Sequence, residues 1–552
     1  MASAAGEAGR YGEEQGLFAR TATGLVRGWA VRDAFIYSFF SINLITLGLF
    51  IFSYAVFVPN GSLLWAVVLS GAYLLFQVIV YASLIAVMPR AGGDYVWMSR
   101  VLGGGVGFVL AVCGWWFILW HWVPIYANIL NVEIFVPLGL IAGADGWASF
   151  FSQPKGLFTA SIITAILASV SISLGLRTYA RIQKICFYGG MVGLLFMFVL
   201  LLINSKADFI AAFNSQATEV LGAPQGAYEK TNEVAAANTG GVADLNNLGG
   251  LFLLIPFILF FNLWSNWGAT LYGEVRGASD FRNNIKAMGG ALLATTALAG
   301  IMFLLFAKTF GWDFYNNANN AYWGTIFGYV EGAPTTYWPY PGMLAAFLMD
   351  GAFWQVLLLG LLALWFFGWV ASVFLSSTRV VFATAFDRIL PESVARVSRN
   401  GVPWVALALM LLPSIPIAYF YAYNAEFYNW TLVSTEVIAI TFAGSAIAAA
   451  IFPWRRRDIY NASPIARYNV AGIPLITVAA VLFLAFLAFA VYKWVTDPLY
   501  GINIDLSDPA KNGFLYTLGL YALALVIYVA SRLWRRSQGI DMSMVHKEIP
   551  AE

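Results

Sequence analysis

Two short stretches place hydrogen-bonding side chains where a lipid-spanning helix calls for hydrocarbon. In FSINLITLGLF, Phe40 to Phe50, the apolar run is interrupted by Ser41, Asn43, Thr46 and Gly48. In FFNLWSNWGATLYGE, Phe260 to Glu274, it is interrupted by Asn262, Ser265, Asn266 and Gly268, with Trp264 and Trp267 between them. Three strong hydrogen-bonding side chains within five residues are unfavourable in hydrocarbon unless they face a wet cavity. The chemistry these residue types can do is coordination. Asn43 and Ser41 can bond backbone freed from a helix, while Thr46 and Gly48 weaken helix continuation. A face of small residues for helix packing is the plainer reading of the first stretch. Two interrupted spans at matching positions are more specific than either alone, because broken helices that bind substrate near the bilayer midplane come in such pairs. Irregular backbone is tolerated there only where it lines a cavity.

The elements that carry these stretches follow from composition. The chain has 552 residues, 60% hydrophobic and 11% charged, against about 25% charged in soluble proteins, so it reads as a polytopic membrane protein. Apolar runs long enough to span appear at roughly 33–57, 62–88, 105–139, 157–175, 179–203, 249–273, 288–310, 351–377, 404–423, 428–452, 472–493 and 513–533. These are spans one to twelve, and the length of the third predicts tilt. The first 32 residues are polar, with arginines and no apolar core, so no cleavable signal peptide is expected. Of the 30 lysines and arginines, Lys155, Lys206, Lys230, Lys308, Lys493 and Lys511 fall on one side of the alternating spans and the other 24, every arginine included, on the opposite side. The positive-inside rule then puts both termini in the cytoplasm; the plasma membrane is the expected location. The organisation expected is a cytoplasmic tail over 1–32, spans one to five over 33–203, an outer loop over 204–248, spans six to ten over 249–452, two further spans over 453–533 and a cytoplasmic tail over 534–552. A second long outer loop covers about 311–350; loops of such length are often functional or flexible.

Other chemistries find little support. Cys113 and Cys186 lie in predicted spans, which excludes a disulfide framework. The chain holds two histidines, His121 and His546, no metal-ligand cluster and no GxxxxGK phosphate loop, so neither an enzyme nor an ATP-driven pump is expected. The net charge of +2 gives no reason to expect a nucleic-acid partner. Ionisable residues inside spans are functional candidates by default. His121 on span three reads as a helix contact or a proton group. Glu133, near the outer end of that span, reads as solvated or capping. Glu436 on span ten reads as an outer-gate or proton-coupling carboxylate, or a paired structural one.

Several segments resemble one family. MPRAGGDYVWMSRVLGGGVGF, Met88 to Phe108, and STRVVFATAFDRILPESVARVSRNGVPW, Ser377 to Trp404, are similar to hallmark loops of the amino acid–polyamine–organocation transporters. EVRGASDFRNNIKAMGG, Glu274 to Gly290, resembles the family's loop after span six, with Gly-Ala in place of the usual Asn-Pro; LRTYARIQK, Leu176 to Lys184, resembles the approach to span five. Order and spacing both agree with the family over spans one to nine.

The resemblance implies an all-α membrane protein of twelve helices with the LeuT-like fold: two inverted five-helix repeats and two peripheral helices. It implies a secondary transporter of amino acids, with the substrate carboxylate at the half-helix end of span one and its amino group at carbonyls of span six. Aligned to the family, Thr46, Leu47 and Gly48 fall on the Gly-x-Gly of the unwound segment, Thr46 departing from the usual glycine. Trp264 and Ser265 match an aromatic lid and a polar contact. The position where many proton-linked or ion-independent relatives carry a lysine is Gly190. Ser376 and Ser377 stand where sodium-coupled relatives place hydroxyls. Sodium at those serines is thus the leading coupling expectation, ahead of a proton at Glu436 or His121 and of exchange or uniport; no other cofactor is expected. The binding residues expected are Ser41, Asn43, Thr46, Leu47, Gly48, Asn262, Trp264, Ser265, Asn266 and Gly268. No carboxylate lies in either break, which favours a neutral amino acid over a polyamine. The alternatives are a transporter of polyamines, nucleobases or other organic cations, and a channel or transport-inactive sensor. Asn43→Ala or Gly48→Leu is expected to abolish substrate binding with the fold intact.

Overall fold

The computed structural model describes residues 25, 27–58, 61–237, 245, 248–434, 436–500 and 513–547. Twelve of its helical segments are long and apolar enough to cross a bilayer, from Val31–Phe57 to Gly513–Ser537. The all-α architecture and the number of spans are those expected from the apolar runs. Among the described residues the one sheet is a hairpin of Asn469–Val470 against Ile473–Pro474.

Three spans run to 35 residues or more. Span three runs over 38 residues, Gly104–Ile141, about 57 Å of helix against about 30 Å of hydrocarbon. Wide turns at Cys113–Phe117 and Asn131–Phe135, with Pro124 between them, interrupt its regular winding. Span eight continues past its expected end to Phe386, turning at Val370–Ala371. Span seven reaches Phe327, so the first part of the second long loop is helical. Its asparagines, which read as loop formers, are bonded within the protein: Asn316 and Asn319 donate to carbonyls one turn back, and Asn317 donates to Asn232 at 2.8 Å. This helix packs over the far half of span one. Trp323 donates to Ser53 at 3.1 Å and sets its ring, tilted, 4.4 Å from that of Tyr54.

At the other end of the bundle, called here the N-terminal face, the chain approaches span one beside the exit of span six. The Trp29 N–H donates to the Glu274 carbonyl at 3.2 Å, and the Arg276 N–H donates back to Trp29 at 2.9 Å. Buried ion pairs lie beneath this bridge. Arg379 meets Glu274 at 2.7 Å, and Arg100 meets Asp387 through two bonds of 2.5 and 2.9 Å, with Tyr95 donating to the same carboxylate. The loop after span two docks here through two glycines. Gly92 donates to the Thr270 carbonyl at 2.9 Å, and Gly93, at φ 41°, comes so close that a Cβ would sit 2.9 Å from the Thr270 nitrogen. Behind them Asp94 accepts from Tyr81 and Ser445, each at 2.6 Å.

Two predictions arise from this face. Removing either partner of Arg379–Glu274 leaves a buried charge alone, at a cost of about 3–5 kcal/mol, whereas removing both costs less. Glu274→Gln and Arg379→Met should each lower the melting temperature more than the double variant does. Burial raises the Asp94 pKa to about 6, against its hydroxyl partners, which lower it. The folded state therefore holds this proton more tightly than the unfolded chain, so this contribution to stability falls as pH rises from about 4 to about 6. Melting temperatures should decline across that window, and Asp94→Asn should flatten the decline.

Candidate functional site

The helix of span one stops at Asn43. Its backbone, at φ 50° and ψ 85°, lies in the left-handed region, which asparagine tolerates better than other residues with a Cβ. Each polar group of the residue is used. Its N–H donates to Phe39 at 3.0 Å, its carbonyl accepts from Gly48 at 2.8 Å, its Oδ1 accepts from the Thr46 N–H at 3.0 Å, and its Nδ2 donates to the Trp365 carbonyl at 3.3 Å. A wide turn over Leu44–Gly48 follows, and helix resumes at Leu49. The break thus falls at Asn43, three residues before Thr46, Leu47 and Gly48, which are helical and buried.

Gly48 is a packing position. A Cβ there would lie 3.0 Å from the Phe261 ring and 3.3 Å from the Asn43 carbonyl. Gly48→Leu therefore perturbs the fold itself, and so does Asn43→Ala, which removes the cap. The expectation that both variants leave the protein folded is corrected on that ground. Ser41 is turned back onto its own helix, donating to Tyr37 at 2.7 Å.

Span six does not open into a loop. Its α-helix ends at Asn262 and continues as a 3₁₀-helix over twelve residues, Leu263–Glu274. Runs beyond three or four residues are uncommon, and such a stretch within a helix often marks a functional hinge. The polar residues of this span bond to span two. Asn262 donates to Ser70 at 2.7 Å, and Gln77 donates to the Leu263 carbonyl at 2.8 Å and to Asn266 at 3.1 Å. Ser265 donates to Gln77 at 3.5 Å. One amide atom of each asparagine, Asn262 Oδ1 and Asn266 Nδ2, stays buried without a partner. Trp264 and Trp267 join Trp115 and Trp122 of span three in one cluster, with rings 4.4 to 5.6 Å apart. Gly268 lies against Tyr37, whose ring a Cβ would approach to 3.1 Å.

The coupling candidates do not converge. Ser376 is engaged, donating to the Trp267 carbonyl and sharing a hydrogen bond with Tyr37, both at 2.9 Å; Ser377 is buried with its hydroxyl unpartnered. At Gly190 the indole of Trp365 occupies the space a longer side chain would need. It donates to the Gly190 carbonyl at 2.9 Å, and a Cβ would lie 2.9 Å from its ring. His121 joins the Phe117 carbonyl to Tyr516 of span twelve. Glu436 starts span ten, buried, with Oε1 unpartnered.

Glu133 is not where the sequence expectation puts it. Glu133 is 3% exposed, neither solvated nor capping an end, because span three continues to Ile141 behind it. Thr46 is a polar side chain close enough to act on it. The pair falls short of hydrogen-bond geometry, leaving Thr46 Oγ1 and Glu133 Oε1 both unpartnered. The signal in the sequence was the excess length of the third apolar run, which means Glu133 is not at its end.

Residues 34–527 match a family model described as amino acid permease, and the match takes in both broken spans and Glu133. The chain belongs to the amino acid permease family. This permease is accordingly an integral membrane transporter of amino acids or related organic compounds, and its partners are a small-molecule substrate and the lipid bilayer.

The break at Asn43 can be tested by two substitutions. Asn43→Ala loses the cap and places a Cβ residue without asparagine's tolerance at positive φ, a combined loss of about 2–3 kcal/mol. Asn43→Gly keeps the backbone conformation. Thermal unfolding in detergent should show the alanine variant clearly less stable than the glycine variant.

Proposed function

We propose that this permease is a secondary transporter carrying a neutral amino acid by alternating access, with the substrate held between the span-one break and Glu133 and with the proton as coupling ion. The observation that carries this reading is the buried Glu133 beside Thr46, with one oxygen unpartnered. An ionised carboxylate without a partner is strongly unfavourable inside a membrane. It therefore takes up either a proton or the ammonium group of a substrate. The first amides of the half-helix after Asn43 offer an anion site for the substrate carboxylate. A single carboxylate balances one positive charge and leaves none for a second, which favours a neutral amino acid over a polyamine. Inverted repeats over 33–203 and 249–452, a plasma-membrane location and cytoplasmic termini complete the proposal. The orientation is supported by the bias of lysine and arginine along the chain.

Sodium at Ser376 and Ser377 is the second reading. The unpartnered hydroxyl of Ser377 favours it; the two bonds already made by Ser376 weigh against it.

The experiment is thermal stability of the purified protein with amino acids, polyamines and nucleobases, in sodium and in potassium buffer, followed by uptake into proteoliposomes. A ligand that binds the native state raises the melting temperature. The expected outcome is a shift with neutral amino acids that is equal in both buffers, and saturable uptake with counterflow, as a carrier requires and a channel does not show. Glu133→Gln should abolish accumulation driven by a proton gradient and weaken the substrate-induced shift in melting temperature. A shift larger in sodium, with Glu133→Gln accumulating substrate normally, would overturn proton coupling in favour of the serines. No shift with any amino acid would overturn the substrate class.

A further inference from the structure

The N-terminal face carries a second feature, remote from the broken spans. A cleft of about 430 Å³ opens between the start of span three, the ends of spans ten and twelve, and the chain's last described segment. Arg455 lines it from the end of span ten, Arg456 from just beyond that end, Arg532 from span twelve, and His546 and Lys547 from the final segment. Among the described residues no carboxylate lines it; Asp458 lies at its rim, 3.7 Å from Arg456, and Asp541 is within electrostatic reach of Arg532 and Lys547. Arg456 holds the walls together, donating to the Arg100 carbonyl at 3.2 Å and to the Lys547 carbonyl at 3.0 Å. Arg455, Arg532 and Lys547 are exposed, so their charges converge on open space.

The tryptophans beside the cleft fix its depth in the membrane. Trp454, next to Arg455, is 62% exposed, and Trp534, two residues beyond Arg532, is 46% exposed. The Arg535 guanidinium lies 4.4 Å over the Trp534 ring. Exposed tryptophans with arginines at the ends of spans belong at the headgroup level, where the ring is half in lipid and half in water. The anion abundant at that depth is the lipid phosphate, and clustered basic residues there recognise acidic lipids.

We propose that this cleft binds the phosphate of an acidic phospholipid headgroup through Arg455, Arg532 and Lys547. Its placement in the cytoplasmic leaflet rests on the orientation proposed above; its chemistry does not. The bound headgroup also holds the final segment in place. His546 of that segment sits 3.3 Å from the Tyr95 hydroxyl and 3.9 Å from Asp387, against the buried Arg100 pair. Gly104 makes that seat, since a Cβ there would lie 2.4 Å from the imidazole. Lipid at the cleft thereby reinforces an ion pair that closes this face.

The test uses the full-length protein in detergent, titrated with phosphatidylglycerol or phosphatidylcholine, with binding read by native mass spectrometry and by melting temperature. Phosphatidylglycerol should bind and stabilise, and phosphatidylcholine should not. Arg455→Gln/Arg532→Gln should weaken phosphatidylglycerol binding about ten-fold or more. The exposed pair Arg177→Gln/Arg181→Gln, elsewhere on the chain, should leave it unchanged. Lys547→Gln makes the same point if the double variant does not fold. Equal responses to the two lipids, or undiminished binding in the cleft variants, would overturn the proposal. So would equal protection by inorganic phosphate or glycerol 3-phosphate, which would assign the cleft to a soluble phosphate compound.

Discussion

The left-handed backbone of Asn43 is the constraint on which the centre of this permease depends. A helix that reverses its dihedrals at one buried residue leaves amide groups that no water can satisfy, so the side chain and the neighbouring spans must satisfy them. Asn43 does so by folding its amide oxygen onto Thr46 and by tying its amide nitrogen to Trp365. Trp365, on span eight, in turn packs against span five at Gly190. Spans one, five and eight are thus held together by one chain of contacts that passes through a single asparagine. A glycine would allow the same dihedrals, but it could not make either side-chain bond.

The two ends of the bundle are closed by different physics. At the far end closure is aromatic, with Trp323 and Tyr54 in contact over span one. At the N-terminal face it is ionic, with Arg379–Glu274 and Arg100–Asp387 almost wholly buried. Buried ion pairs contribute little net stability once the loss of solvation is counted. Their geometric requirements are strict, however, so they favour one arrangement of the helices over near alternatives. Aromatic contacts tolerate sliding far better.

Much of this was legible in the sequence. The apolar runs marked the spans, and the polar interruptions at Asn43 and Asn262 marked where regular α-helix ends, because both effects are local. Partnership across helices was not legible. Nothing in the sequence says that Asn262 and Asn266 turn toward Ser70 and Gln77, since that depends on how spans two and six are rotated. Gly48 read as a helix breaker because glycine does two jobs, and only the Phe261 ring beside it shows that close packing is the one at work. Glu133 reads as solvated or capping because it falls near the outer end of the apolar run, whereas the 38-residue helix continues past it to Ile141 and leaves it 3% exposed. The helix in the second long loop was hidden by its asparagines, whose bonds to their own backbone make them fit for a helix in this setting.

The winding of span six also sets its length. A 3₁₀-helix rises about 2.0 Å per residue and an α-helix about 1.5 Å. Over the twelve residues Leu263–Glu274 the difference amounts to about 6 Å, slightly more than one α-helical turn. The segment is therefore a stretched coil with one end fixed at Asn262 and the other at the bridge to Trp29. Rewinding it as α-helix would draw Glu274 inward by that distance, away from Arg379, with no change in the rest of the span. Were the segment to rewind, its stroke would be set by the number of residues that change their winding.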